Sequence, residues 1–253
     1  MKIVISPAKS LDFESPLPTQ RYSEFDFARE ASRIHKVLAA KKPAALRSLM
    51  DISEDLAQLN WKRNQEFSLP FTPENARPAV FAFSGDVYQG LDAYSLTPDQ
   101  IDRMQDTLRI LSGLYGMLRP LDLIQPYRLE MGTSLKVGSK KNLYEFWKKT
   151  LTDHLNAEMG EGELLVNLAS NEYFGALDVR RLRARVVTPV FKDWGNDKLR
   201  VISFFAKKAR GAMVRYILES GAQTREDLLG FDADGYQFSQ AHTQREDQPV
   251  FVR

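Results

Sequence analysis

Several charged and amide side chains lie at positions that often carry functional residues in folded proteins. These positions are the ends of short apolar runs and the neighbourhood of closely spaced glycines. The residues are Lys9, Asp86, Arg128, Glu130, Asn167, Asn171 and Lys192. A lysine and carboxylates that share a cleft can perform acid–base or lyase chemistry. Their spacing does not identify a reaction, and side chains of these types also serve in polar loops and helix caps.

Three short apolar runs must position most of these side chains. The runs are Ile3 to Ile5, Ala79 to Phe83 and Leu164 to Leu168. Each has the length of a buried strand, and each is followed by polar residues. Since ligands of α/β proteins bind beyond the carboxyl ends of strands, the pattern predicts one shared crevice. The alternative is three ordinary polar turns.

A glycine turn is predicted to lie inside a helix-hairpin-helix-like element over residues 97–125. Thr97 and Gln100 supply a capping box for a helix that ends near Ser112, and Pro120 suits the start of a second short helix. Outward-facing amides in such a turn can bind a phosphate. The expected phosphate-binding positions are Gly113, Leu114, Tyr115, Gly116 and Arg119. The glycine spacing alone also fits a plain turn between two helices.

Positive charge is concentrated in one segment of the chain. Between Arg180 and Arg215 there are eleven Lys or Arg against two Asp, a net charge of +9, whereas the whole chain carries +2 and the remainder therefore −7. This asymmetry predicts a basic surface for polyanions. Within it, residues 206–220 form a predicted helix. Its expected phosphate contacts are Lys207, Lys208, Arg210 and Arg215, although basic residues on a helix are more often simply solvated.

Composition excludes several classes of protein. With 253 residues and 43% hydrophobic content, the chain can bury the core of one domain, which we expect to span residues 1–253. Neither an apolar run of about 18 residues nor a signal-peptide layout occurs, so we expect a cytoplasmic protein without a membrane partner. There is no cysteine, and the three histidines are far apart. We therefore expect no metal site and no cofactor. The sequence does not set the oligomeric state.

The other periodic segments predict a mixed α/β fold, with a mixed sheet surrounded by helices. Predicted helices cover Phe25 to Lys42, Pro43 to Met50, Ser53 to Phe67 and Asn142 to Glu158. Residues 185–192 and 199–204 are expected to pair across a turn at residues 193–197. A closing hairpin is expected between Tyr236 to Ser239 and Pro249 to Val252.

Five blocks of sequence support an assignment to a family. They are ISPAKSLDF (5–13), FSGDVYQGLDA (83–93), LSGLYGMLRPLDLIQPYRLEMG (111–132), VNLASNEYF (166–174) and SFFAKKARGAMVRYI (203–217). Together these blocks resemble the YaaA family of bacterial peroxide-stress-resistance proteins. The resemblance implies a mixed α/β fold with a positively charged cleft and a helix-hairpin-helix element. It also implies binding to duplex and distorted DNA, protection against hydrogen peroxide, and limitation of free intracellular iron.

Two hypotheses follow from the residues and the resemblance together. The first is a sequence-independent DNA-binding protein of the peroxide stress response, whose partner is duplex, bubble or junction DNA. The second is an enzyme that acts on a nucleotide or a nucleic-acid base with the lysine, carboxylate and amide candidates named first. Direct sequestration of iron fits the residues poorly, because the Asp and Glu residues are scattered along the chain.

Overall fold

A computed structural model describes residues 1–195 and 198–253. The helices of this part are α1 (Ala28–Ala39), α2 (Pro43–Met50), α3 (Glu54–Glu66), α4 (Ala79–Ala82), α5 (Asp86–Leu91), α6 (Pro98–Thr107), α7 (Leu143–Glu158), α8 (Asn171–Phe174), α9 (Ser203–Ser220) and α10 (Arg225–Leu228). Its strands are β1 (Lys2–Ile5), β2 (Ser10–Leu11), β3 (Arg77–Pro78), β4 (Phe83–Ser84), β5 (Leu108–Ser112), β6 (Gly116–Leu118), β7 (Leu123–Ile124), β8 (Leu164–Leu168), β9 (Arg185–Val187), β10 (Val190–Gly195), β11 (Lys198–Arg200), β12 (Gln237–Phe238) and β13 (Val250–Val252). The predicted mixed α/β class is confirmed.

The main sheet has the strand order β6-β5-β1-β8-β9. Strand β1 runs parallel to β5 and β8, β8 runs parallel to β9, and β6 is an antiparallel edge. Strands β5 and β8 are buried along their whole length. Burial on both faces explains why their apolar residues do not alternate with exposed polar ones, and the polar residues that they contain, Arg109, Ser112 and Asn167, are themselves buried. The strands predicted at Ile3 to Ile5 and Leu164 to Leu168 are confirmed.

The strand predicted over Ala79 to Phe83 is wrong. Ala79–Ala82 forms the single-turn helix α4, and only Phe83 and Ser84 pair with β2. All four residues of the turn are buried, and the backbone N–H of Ala79 donates to the carbonyl of Asp122 at 2.9 Å. A short, fully buried apolar run has no periodicity that separates a strand from a helical turn. The polar groups after Phe83 nevertheless follow a strand end, as predicted.

The helix-hairpin-helix-like element predicted over residues 97–125 is also wrong. Its start is confirmed, because Thr97 and Gln100 form the capping box of α6. The helix ends at Thr107, however, and Leu108 to Ser112 pair with β1 as the strand β5. The glycine turn therefore joins two antiparallel strands, β5 and β6. The apolar residues continue at helical spacing beyond Thr107, but they form a strand. Pairing with β1, rather than local propensity, decides the structure of this segment.

A second sheet has the order β11-β10-β13-β12 and packs beside α9. The predicted hairpin in this region is confirmed in part, as the antiparallel pair β10 and β11. Its predicted first strand, residues 185–192, is divided between β9 of the main sheet and β10, and residues 193–195 of its predicted turn belong to β10. Asn196 and Asp197, which fall in its predicted turn, lie outside the described residues. The closing hairpin is confirmed as the antiparallel pair β12 and β13. The strand predicted to reach Phe204 stops at Arg200, because Ser203 already begins α9.

The predicted helices of the scaffold are confirmed as α1, α2, α3 and α7, with ends that differ by no more than a few residues. Their apolar faces join one contiguous hydrophobic core with the main sheet. Trp147 of α7 is fully buried, and its ring lies where a side chain on Gly116 would stand. Among the helices of residues 1–195 and 198–253, none combines the length and apolar character that crossing a lipid bilayer requires.

An ion-pair network ties α7 to β5. Arg109 donates through two nitrogens to the two carboxylate oxygens of Glu158, both at 2.9 Å. His154 Nε2 lies 3.3 Å from the same carboxylate. Burial of Glu158 opposes its ionisation, but the hydrogen bonds from His154 and Arg109 outweigh it and lower the pKa of Glu158 to about 2.

This pKa predicts a pH-dependent contribution to folding. A carboxylate whose folded pKa lies below its ordinary value of 4.5 stabilises the fold above that value, and the stabilisation is lost as pH falls towards 2. Glu158→Gln should therefore lower the free energy of unfolding by roughly 1–2 kcal/mol at neutral pH, after allowance for solvent screening. The difference from wild type should shrink below about pH 4.5 in urea denaturation curves. Glu66→Gln, in an exposed surface pair, is the control. A difference that stays constant with pH would contradict this account.

Candidate functional site

A polar pocket of about 480 Å³ opens beyond the carboxyl ends of β1 and β8. We call it the strand-end pocket. It is lined by Ser6, Pro7, Ala8, Lys9, Ser10, Ser84, Gly85, Asp86, Val87, Tyr88, Glu130, Ser170, Glu172, Tyr173, Lys207 and Arg210. These residues come from separate segments of the chain, so only the tertiary fold brings them together.

Serine hydroxyls at neighbouring strand ends hold the base of the pocket together. Ser6 follows β1, and its hydroxyl accepts a hydrogen bond from the backbone N–H of Ser170, after β8, at 2.9 Å. Ser10 of β2 stands opposite Ser84 of β4 in the antiparallel pair. Tyr88 of α5 donates its hydroxyl hydrogen to the carbonyl of Ser6 at 3.1 Å. The polar ends of these strands are therefore fixed relative to one another.

Opposite charges are arranged in pairs around the pocket. Lys9 Nζ lies 2.9 Å from Glu130 Oε2, and Arg128 approaches the other oxygen of Glu130 at 3.5 Å. Lys207 Nζ lies 3.9 Å from Asp86 Oδ2. The lysine side chains are 61% and 52% exposed, whereas the two carboxylates are 27% and 26% exposed. The two lysines are therefore more exposed to solvent than the carboxylates. An anionic ligand that approaches the pocket would contact the lysines first.

Arg210, Tyr88 and Tyr173 also line the pocket, whereas the hydroxyl of Tyr127 bonds to the buried Ser112. Burial lowers the pKa of Arg210, which stays a cation at physiological pH because the ordinary pKa of arginine is so high. Burial raises the pKa of Tyr88, Tyr127 and Tyr173 well above 10. All three phenols are therefore protonated and can donate hydrogen bonds, but none of them is a base at neutral pH.

Two glycines determine how close the helices that carry these charges can come. A Cβ on Gly211 of α9 would stand 1.8 Å from the carbonyl oxygen of Val87, and one on Gly90 of α5 would stand 2.0 Å from that of Lys208. Only hydrogen fits at both positions, so the two backbones touch. This close crossing places Asp86, at the start of α5, opposite Lys207 of α9.

The comparison with known proteins gives a consistent family assignment. A family model described as "Peroxide stress protein YaaA" matches residues 1–242. A UPF0246 protein of Flavobacterium johnsoniae is 60% identical over 253 residues, which is all of both chains. A UPF0246 protein of Hahella chejuensis is 52% identical over 243 residues, or 95% of each chain.

The chain belongs to the YaaA family of peroxide stress proteins.

The structure of this YaaA-family protein brings five of the predicted site residues together. Lys9, Asp86, Glu130, Lys207 and Arg210 all line the strand-end pocket, and Arg128 contacts it through Glu130. The predicted crevice at neighbouring strand ends is therefore present. The chemical roles of these residues stay predictions.

Besides Arg128, three predicted catalytic candidates are not among the residues that line this pocket. Asn167 is buried in β8, where its side chain bonds to the backbone of Ala169 and to Thr188. Lys192 lies on β10 of the second sheet, paired in register with Val252. Asn171 begins α8 beside the pocket.

The glycine turn does not face solvent, so the expectation of outward-facing amides there is wrong. Gly113, Leu114, Tyr115 and Gly116 are all buried. The carbonyl of Gly113 accepts a hydrogen bond from Trp147 Nε1 at 2.9 Å, and a Cβ on Gly113 would meet the backbone of Leu129 at 2.4 Å. The turn instead packs against the backbone of the segment that carries Glu130.

The other predicted DNA contacts are dispersed over the fold. Arg119 pairs with Asp122 at 3.1 Å, and Lys208 pairs with Asp234 at 3.2 Å. Arg215 contacts Glu219 at 2.7 Å and hydrogen bonds to Ser95. Of the cations predicted on α9, only Lys207 and Arg210 line the strand-end pocket. The predicted DNA-contacting positions therefore do not all line this pocket.

Ser6 and Glu172 line the pocket but were not among the predicted residues. Ser6 directly follows the apolar run of β1, so its place at a strand end was the signal available in the sequence. Glu172 accepts a hydrogen bond from the backbone N–H of Gly132 at 2.9 Å, a contact that depends wholly on the fold. Within the described ranges, 1–195 and 198–253, no group of three or more His, Cys, Asp or Glu residues is placed to hold a metal ion.

Gly211→Ala tests the helix crossing. Because the added methyl group would overlap the backbone of α5, the variant should lose about 1–3 kcal/mol in free energy of unfolding, measured by urea denaturation. Gly160→Ala is the matched control, since its Cβ would have no neighbour closer than 3.8 Å, and it should change stability by no more than about 0.5 kcal/mol. Equal stability of the two variants would show that the helices can separate without any loss of stability.

Proposed function

We propose that this YaaA-family protein acts in the peroxide stress response by binding DNA without sequence specificity, through cations at the strand-end pocket. The observation that carries the proposal is the convergence of Lys9, which follows β1, with Lys207 and Arg210 of α9. Contacts from such cations to phosphates carry no base information, so binding through them does not depend on sequence.

The charges nearest to solvent favour an anionic partner. Lys9 and Lys207 have side chains more than half exposed, although each pairs with a carboxylate. An exposed ion pair contributes little to stability, so a phosphate can readily compete for the ammonium group. The basic segment from Arg180 to Arg215, with its charge of +9, supplies the longer-range attraction.

Lys207→Ala should weaken DNA binding in a salt-dependent manner. The slope to be compared is that of the logarithm of the association constant against the logarithm of the salt concentration. If the ammonium group of Lys207 neutralises one phosphate, this slope should be smaller in magnitude by about 0.9 in the variant than in wild type for duplex DNA. The measurement is a fluorescence anisotropy titration of a labelled duplex and a bubble-containing duplex at several salt concentrations.

Lys62→Ala is the matched control for this titration. Lys62 is also an exposed helical lysine that pairs with an acid, but it lies on α3 and does not line the pocket. The variant Lys62→Ala removes the same charge as Lys207→Ala, and it should leave the salt dependence of binding unchanged. Wild-type binding that does not respond to salt would contradict DNA binding through phosphates, and equal effects of the two variants would exclude the pocket as its location.

A second candidate function is an enzyme that acts on a nucleotide or a nucleic-acid base. Two carboxylates face the same pocket, each paired with a different lysine, as Glu130 with Lys9 and Asp86 with Lys207. Such an arrangement can hold a ligand between a proton acceptor and a proton donor. Tyr173 also lines the pocket, and its protonated phenol can donate a hydrogen bond to such a ligand.

Asp86→Asn separates the two functions, because it removes a carboxylate while preserving size. If Asp86 performs chemistry, the variant should bind DNA within about twofold of wild type, since the phosphate-contacting cations remain. It should nevertheless fail to protect cells against hydrogen peroxide, scored as survival of a deletion strain that expresses it. Asp51→Asn is the control, because Asp51 is an exposed residue at the end of α2 in a left-handed conformation that asparagine also adopts. Unchanged protection by Asp86→Asn would exclude its catalytic role.

A further inference from the structure

Large apolar side chains are exposed beside the strand-end pocket, at the start of α9. Phe204 is 53% exposed and Phe205 is 37% exposed, although both belong to residue types that are usually buried. Val201 and Trp194 nearby in the chain are 52% and 57% exposed. Phe205, Ala209, Ala212 and Met213 recur at helical spacing, which predicts a buried position for Phe205, but its side chain is exposed. An exposed group of aromatic residues indicates a surface that binds something.

Phe204 lies one helical turn before two lysines of α9. Residues three and four positions apart are neighbours on a helix surface, so Lys207 and Lys208 follow Phe204 one turn further along the same side of α9. Lys207 is also one of the residues that line the strand-end pocket. The aromatic ring therefore lies one helical turn from a cation of the pocket.

The neighbouring Phe205 holds this surface in place. Its ring meets that of Phe204 edge-on, with 5.6 Å between centroids, and the guanidinium of Arg253 covers it at 4.4 Å. Arg253 is itself fixed by two hydrogen-bonding contacts to the buried carboxylate of Asp193, at 2.9 and 2.7 Å, and it also lies over the ring of Tyr236. Phe205 is thus anchored, whereas Phe204 presents its ring to solvent.

The size of the pocket limits what can enter it. A volume of about 480 Å³ lies within the range of pockets that enclose one small ligand. A double helix is therefore excluded from the interior, whereas a single nucleotide is small enough. Aromatic rings beside cations are the combination by which proteins bind single strands, because bases stack on the rings and phosphates contact the cations.

We propose that the strand-end pocket and Phe204 form one site for unpaired DNA. One nucleotide enters the pocket, the adjoining base stacks on Phe204, and Lys207 contacts the phosphate between them. This inference rests on the proposed DNA binding and adds to it the class of DNA, an unpaired strand. A protein partner fits less well, because an apolar partner that covers the ring would also have to cover the lysines one helical turn away.

Phe204→Ala tests the site with a 20-nucleotide oligo(dT) and a blunt duplex. Loss of a stacked base should weaken binding of the single strand by about 5- to 150-fold and leave binding of the duplex within about twofold. Leu59→Ala is the control, since Leu59 is an exposed apolar residue of α3, 42% accessible, that does not line the pocket. It should change neither affinity. Phe204→Trp should keep the affinity, and its added indole fluorescence should be quenched by oligo(dT) more strongly than by duplex.

The outcomes distinguish this inference from the function on which it rests. If wild-type protein binds neither DNA, the proposed function fails and the inference fails with it. If wild-type protein binds DNA with a salt-dependent affinity but Phe204→Ala binds oligo(dT) as wild type does, only the stacking site is overturned. A dimer seen in sedimentation that Phe204→Ala abolishes, without any effect on DNA binding, would overturn the inference and assign this surface to a second copy of the chain.

Discussion

The close crossing of α5 and α9 is the contact on which the site depends. Gly90 and Gly211 allow the two helix backbones to touch, and side chains at these positions would overlap main-chain atoms. The crossing joins a helix that follows the short β2–β4 pair to the basic helix beside the second sheet. Without it, Asp86 and Lys207 would belong to separate surfaces, and the pocket would lose one wall.

Charge pairing then decides which cations are available to a ligand. Arg215 directs its guanidinium to Glu219 and to the segment around Ser95, so it holds α9 to the rest of the fold. Lys9 and Lys207 also have carboxylate partners, but they are half exposed and stand at the edge of a pocket. Ion pairs of that kind exchange readily for a phosphate, because water already screens them. The net charge of a segment therefore overstates how many of its cations are available to an anionic ligand.

Much of the fold and part of the site could be predicted from the sequence, where the signal is local. Pro43 starts α2, the capping box of Thr97 starts α6, and polar residues follow the apolar strands β1 and β8. The predictions failed where a partner distant in sequence decides the conformation. Leu108 to Ser112 continue a helical spacing but pair with β1, and Ala79 to Ala82 form a helical turn inside the core.

The sequence by itself determined the family, the mixed α/β class, and the positions at which strands end in polar groups, since each depends on neighbouring residues or on ordered motifs. Tertiary structure alone decided that the glycine turn is buried behind Glu130 rather than exposed to phosphate. It also decided that Lys9, Glu130, Asp86 and Lys207 share one pocket. The physical reason is that burial and ion pairing depend on which groups lie together in space. The local sequence around two residues that are far apart along the chain does not show whether they will be in contact.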